Sequence, residues 1–118
     1  MATNLCDHPL VQHHLTILRD RTTNTRDFRL SCKGVSQVVI LEAAKRLSLD
    51  TLEVETPLET TVGARLSRDI VFVPILRAGL GMLEHAMDIL PNSSVGYIGM
   101  EREEATAEAS CYLSLIHI

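Results

Sequence analysis

Apolar and polar residues recur along this chain in three rhythms, and each rhythm predicts a different kind of element. Leu10, Val11, His14, Leu15, Ile17 and Leu18 recur at helical spacing and give a broad apolar face to a helix running through Arg19. Asp7 is placed to cap that helix, and Pro9 sits in the first turn, where a missing N–H costs nothing. Asp20 to Thr25 is polar and rich in threonine, which predicts a loop whose Asn24 or Thr25 caps the next helix. Phe28, Cys32, Val35, Val39, Ala43 and Leu47 then step by three or four, so a second helix of about six turns should bury that stripe. Gly34 within it costs about 1 kcal/mol relative to alanine, which close packing or plain tolerance must explain.

The rhythm changes to period two at Leu52, Val54 and Thr56, which alternate with Glu53 and Glu55 as in a strand wet on one face. Pro57 ends that strand or marks it as an edge. Thr60 to Arg68 reads as a polar connection. The third rhythm is an uninterrupted apolar run. Asp69 to Met82 reads as a strand apolar on both faces, then a tight turn carrying Arg77 and Gly79, then the first turn of a helix. Such a run fits a parallel strand covered on both sides, because alternation is expected when one face meets water. Leu80, Leu83, Met87 and Leu90 continue as a helical stripe until Pro91-Asn92, with Glu84, His85 and Asp88 expected on the solvent side. Ser93 to Met100 reads as a second parallel strand, which completes a β-α-β unit and delivers Arg102 at its carboxyl end. Ala105 to Cys111 shows no firm pattern, and Tyr112 to Ile118 is an apolar run without a cap or turn.

Composition narrows the picture. A chain of 118 residues is one domain at most. Its net charge of −4 argues against a nucleic-acid partner held by a general basic field, although local cations can still bind anions in a pocket. Cys6, Cys32 and Cys111 have no metal-ligand spacing and no secretory leader before them, so reduced cytoplasmic thiols are expected, with Cys32 a small buried hydrophobe. No apolar run reaches the roughly 18 residues of a membrane span. A soluble protein without a membrane partner is the expectation.

The candidate chemistry lies at Arg77. In open α/β sheets ligands bind at the carboxyl ends of the strands, and backbone N–H groups at a glycine-bearing turn favour anions. A guanidinium placed there adds a planar fork of donors suited to phosphate oxygens. Neighbouring parallel strands end on one edge, so Arg102 is expected to open onto the same crevice. The competing signals are weaker. Of His8, His13 and His14 only His14 lies on the apolar face, which favours a solvated or core-edge role over metal binding. Glu53, Glu55 and Glu59 fit a solvated face better than a catalytic carboxylate pair. Glu101, Glu103 and Glu104 fit surface charge better than a divalent-cation site.

The block Val73-Pro74-Ile75-Leu76-Arg77-Ala78-Gly79-Leu80-Gly81-Met82 closely resembles uracil phosphoribosyltransferases. His8-Pro9-Leu10-Val11-Gln12-His13 and Thr25-Arg26-Asp27-Phe28-Arg29 resemble that family's N-terminal helices. Gly99-Met100-Glu101-Arg102-Glu103-Glu104-Ala105-Thr106 and then Tyr112 resemble its strand and arginine loop. The resemblance implies an α/β, partial type I phosphoribosyltransferase (Rossmann-like) fold. It also implies pyrimidine salvage by transfer of ribose 5-phosphate from phosphoribosyl diphosphate (PRPP) to uracil, giving UMP and diphosphate, with Mg²⁺ accompanying the diphosphate and a homodimer as the assembly. Arg77 and Arg102 are similar to the family's diphosphate-contacting arginines, and Ala78 and Gly79 to its diphosphate loop.

The family continues well beyond Ile118. Its acidic pair with Thr-Gly-Gly, which cradles the ribose 5-phosphate, and its uracil-recognition segment do not occur here. Residues 1–113 therefore read as the N-terminal portion of one phosphoribosyltransferase domain, inactive alone, with the catalytic groups expected in the other half. Residues 114–118 read as a tail outside the family pattern. Two alternatives accompany this reading. One is a non-catalytic nucleotide-sensing module of the same fold. The other is an unrelated Rossmann-like domain, disfavoured because no Gly-x-Gly-x-x-Gly is present.

Overall fold

In a computed structural model of the chain, which describes residues 6–102, 106 and 109–116, the first helix forms where the apolar face predicts it, α1 at Pro9–Arg19. Its cap is His8 rather than Asp7: the imidazole Nδ1 accepts from the Leu10 N–H at 3.2 Å, with Pro9 following as the first helical residue. Asn24 caps α2 (Thr25–Ala44), its side chain accepting from the Asp27 N–H at 2.9 Å.

The buried side of α2 differs from the predicted stripe. Phe28 is 46% and Val39 36% exposed, whereas Ser31 and Ser36 are buried. Packing decides this, because α1 lies against the smallest side chains of α2. The His14 ring stands over Gly34, and its Nδ1 lies 3.4 Å from the Ser31 hydroxyl. Close packing therefore explains the helical glycine, and a helix that loses about 1 kcal/mol of propensity there gains a close neighbour.

Thr60 to Arg68 is a strand for most of its length, not a connection. β1 (Leu49–Glu55) and β2 (Thr60–Leu66) pair as an antiparallel hairpin from Leu49 opposite Leu66 to Glu55 opposite Thr60. The turn is closed by Thr56, whose N–H and hydroxyl both donate to the Glu59 carbonyl, at 3.0 and 2.6 Å. β2 carries no clear alternation because the hairpin is wet on both faces, with only Leu52 and Gly63 half-buried. The radius of gyration is 18.6 Å, against about 13 Å for a compact chain of this length, consistent with the hairpin extending away from the rest.

The apolar run forms the middle of a small sheet. β3 (Val71–Phe72) and β4 (Ile75–Leu76) both pair in parallel with β5 (Ser94–Arg102). The register is the same on either side of Val73-Pro74, so these are two pieces of one strand. The break falls where Pro74 has no N–H to give, while its carbonyl still accepts from the Ile98 N–H at 3.1 Å. α3 (Leu80–Ile89) links the two parallel strands and stops before Pro91, as predicted. β6 (Ala109–Ile116) pairs antiparallel along the other edge of β5, from Arg102 opposite Ala109 to Val95 opposite Ile116. Ala109–Cys111 thus belong to a strand that their pattern does not predict.

Two burial expectations are overturned. The central strand is covered on one face only: Pro74 is buried and Phe72 and Leu76 half-buried, but Val71, Val73 and Ile75 are 52%, 42% and 51% exposed. Ile40 of α2 and Met82, Leu83 and Ala86 of α3 line a cavity against this segment. His85 does not face solvent. Its side chain is only 15% exposed, and its Nδ1 is buried 4.0 Å from an Asp88 oxygen without a hydrogen bond among the described residues. Among the described residues the strict core is thin, with Val11, Pro74, Ala86 and Val95 as its buried apolar side chains.

Candidate anion site at the end of the central strand

β4 ends at Leu76, and the chain turns through Arg77, Ala78 and Gly79 into α3, with a cis peptide between Leu76 and Arg77. The turn closes tightly on its own strand. The Gly79 N–H donates to the Ile75 carbonyl at 2.8 Å, and the Leu80 N–H donates to the Arg77 carbonyl at 3.1 Å. A β-carbon at Gly79 would stand 2.7 Å from the Ile75 nitrogen and 2.8 Å from its carbonyl oxygen, so only glycine fits. Gly81, two residues on, meets open space and is not required in that sense. Arg77 and Ala78 are exposed, and Gly79 is half-buried.

Because the Gly79 N–H is committed to Ile75, the N–H groups of this turn without a backbone partner among the described residues are those of Arg77 and Ala78. Beside them a cavity of about 690 Å³ runs along the Phe72–Gly79 segment, closed by Ile40 of α2 and by Met82, Leu83 and Ala86 of α3. Among the described residues Arg77 is the one charged member of that lining.

Arg102 stands on β5, the strand paired with β4. Leu76 is level with Gly99, so Arg77 follows that level directly and Arg102 lies three residues beyond it. At strand rise this puts Arg102 about 10 Å beyond the level of Leu76, measured along the strand direction. The backbone of Arg102 pairs with Ala109, while its side chain lies outside the described residues, as do Glu103 and Glu104. Glu101 is exposed opposite Ser110. The structure therefore places both arginine positions at the carboxyl ends of adjacent parallel strands.

The other candidates stay apart. His8 and His13 are exposed, and His14 packs against α2. Cys32 is half-buried and Cys111 exposed. Among the described residues no three His, Cys, Asp or Glu side chains gather as a metal group. No helix among the described residues is long and apolar enough to cross a membrane. Sequence reasoning missed the burial of His85 and the second edge of β5. For β6 a signal existed in the strand-favouring Tyr112-Leu113-Ser114-Leu115-Ile116, but such a pattern does not name the strand it pairs with.

Comparison with known proteins identifies the family. The family model for uracil phosphoribosyltransferase matches residues 5–117. The uracil phosphoribosyltransferase of Thermosipho africanus is 46% identical over 113 residues, covering 95% of this chain and 54% of the relative. That of Corynebacterium diphtheriae is 40% identical over 116 residues, covering 98% of this chain and 55% of the relative. A solved protein of Aquifex aeolicus superposes with a TM-score of 0.81 at 36% identity, over 99% of this chain and 56% of that one. The chain thus spans about half the length of the relatives it matches. On its α/β fold, its arginine turn and a match along almost all of its length, the chain belongs to the uracil phosphoribosyltransferase family.

Proposed function

We propose that this chain supplies the diphosphate-binding half of a uracil phosphoribosyltransferase acting in pyrimidine salvage. The observation that carries the reading is Arg77 on a turn closed against the end of β4, one strand away from Arg102, in a chain whose relatives bear that enzyme's name. In the reaction the bond between ribose C1 and a diphosphate oxygen of PRPP breaks, uracil N1 bonds to C1, and the N1 proton is lost. UMP and diphosphate are the products.

Charge develops on the departing diphosphate, and a donor already fixed at that place stabilises it without reorganising. The Gly79-to-Ile75 hydrogen bond does the fixing, because it holds the turn, and with it the Arg77 backbone, at the strand end. Ala78 offers a backbone N–H beside the guanidinium. Mg²⁺, as a hard cation, is proposed to arrive on the diphosphate oxygens and to keep water ligands rather than take side chains of this chain.

The proposal extends to a cytoplasmic homodimer and to an isolated 118-residue chain without activity. The exposure of Val71, Val73 and Ile75 supports the latter, since an uncovered strand face cannot hold a rigid site. The test is uracil-dependent release of diphosphate from PRPP by a protein of the relatives' length that carries this chain. Turnover with uracil is expected. Tight PRPP binding without turnover would instead favour a nucleotide-sensing module.

A further inference from the structure

Tyr112 is not used by the reading above, yet it stands at the same rim. It is the register partner of Gly99 on β5, and Gly99 is in turn the register partner of Leu76 on β4. Gly99 has no side chain, and the Tyr112 ring fills the place where one would be. The ring carbon that bears the hydroxyl is the atom nearest to that position. The distal end of the ring therefore lies over β5, between β6 and the strand that ends in Arg77.

The face is also the right one. Side chains two residues apart share a face, so Pro74, Leu76, Gly99 and Tyr112 lie on one side of the sheet. The turn that carries Arg77 folds back over that side: a β-carbon at Gly79 would meet the Pro74 ring at 3.0 Å. Tyr112 remains 54% exposed, and its hydroxyl has no hydrogen-bond partner among the described residues. A buried glycine covered by an aromatic ring explains why the ring is aromatic. It does not explain the hydroxyl, which phenylalanine would lack.

We propose that Tyr112 is a ligand-binding residue of the Arg77 site, its hydroxyl donating to a phosphate oxygen of the bound diphosphate group while Gly99 seats its ring. This rests on the transferase reading for the identity of the ligand, and on β-strand geometry for the residue. A neutral donor beside a guanidinium adds direction without adding like charge. A hydrogen bond to a charged group of this kind is worth about tenfold or more in affinity.

The test uses a protein of the relatives' length that carries this chain, and compares the unmodified protein with Tyr112→Phe and Gly99→Ala. Calorimetric titration with diphosphate and steady-state turnover of PRPP with uracil are both read. Tyr112→Phe keeps the ring on Gly99, so a purely structural role predicts no change. The expected result is diphosphate binding weakened about tenfold, with the KM for PRPP raised and that for uracil unaltered. Gly99→Ala, which evicts the ring, should weaken diphosphate binding at least as much. Unchanged diphosphate affinity in Tyr112→Phe overturns the proposal, and so does an unmodified protein that binds no diphosphate. Loss of diphosphate affinity in Tyr112→Phe where the unmodified protein shows no uracil-dependent turnover would sustain Tyr112 and sink the transferase reading. Normal turnover with no effect of Tyr112→Phe would do the reverse.

Discussion

The imidazole of His14 occupies the space above Gly34 that a β-carbon would fill, so the first two helices meet ring against backbone. With Val11 the one fully buried residue of α1, this contact sets how closely α1 approaches α2. Gly34→Ala should therefore destabilise the fold by about 1 to 3 kcal/mol, although alanine is the better helix former. Denaturant unfolding of the variant in a full-length family protein checks this, and a variant more stable than the parent would show that the helices can simply move apart.

Arg77→Ala removes the one charged side chain from the cavity at the end of β4. In a full-length protein the expected loss is about 3 to 4 kcal/mol of transition-state stabilisation, read as kcat/KM for PRPP. Arg77→Lys should recover only part of it, because an ammonium lacks the planar fork. An alanine variant within threefold of the parent would remove Arg77 from the site.

Asp20 follows α1 and accepts from the Thr22 hydroxyl at 2.7 Å and from the Thr22 N–H at 2.8 Å. These bonds favour the carboxylate and hold its pKa below the usual value. A folded-state pKa lowered in this way contributes stability above the unfolded value, and that contribution is lost as pH falls through the folded one. Titration of the Asp20 carboxyl by NMR in a full-length protein should give a pKa below that of a free aspartate. In Thr22→Val it should rise, since the hydroxyl is the larger cause. No rise would assign the shift elsewhere.

The isolated 118 residues should behave as a loosely packed or aggregating chain. Val71, Val73 and Ile75 are exposed along a strand whose far edge has no described partner, and Leu58 on the hairpin is 97% exposed. Dye binding to apolar surface and a broad unfolding transition are the expected signs. A monodisperse chain that unfolds cooperatively would count against it.

Local chemistry was legible from the residues themselves. The three helices and the start of β5 follow from side-chain spacing, and Asn24 and Pro91 mark their limits, because a helix satisfies its backbone from its own neighbours in sequence. Arg77 was legible for a related reason: a strand followed by a glycine turn and a helix start is a local pattern. β2 and Ala109–Cys111 were not, because a strand is satisfied by a partner, and neither segment's composition names one.

The chain's sequence by itself determined which segments turn into helices, and that one arginine sits where a parallel strand gives way to a helix. Only tertiary structure decided which sides are buried. Ser31 and Gly34 lie beneath α1 while Phe28 faces outward, His85 is enclosed, and Tyr112 lies over Gly99. The physical reason is that periodicity reports which residues share a face, whereas burial depends on what another element, often dozens of residues away, brings against it.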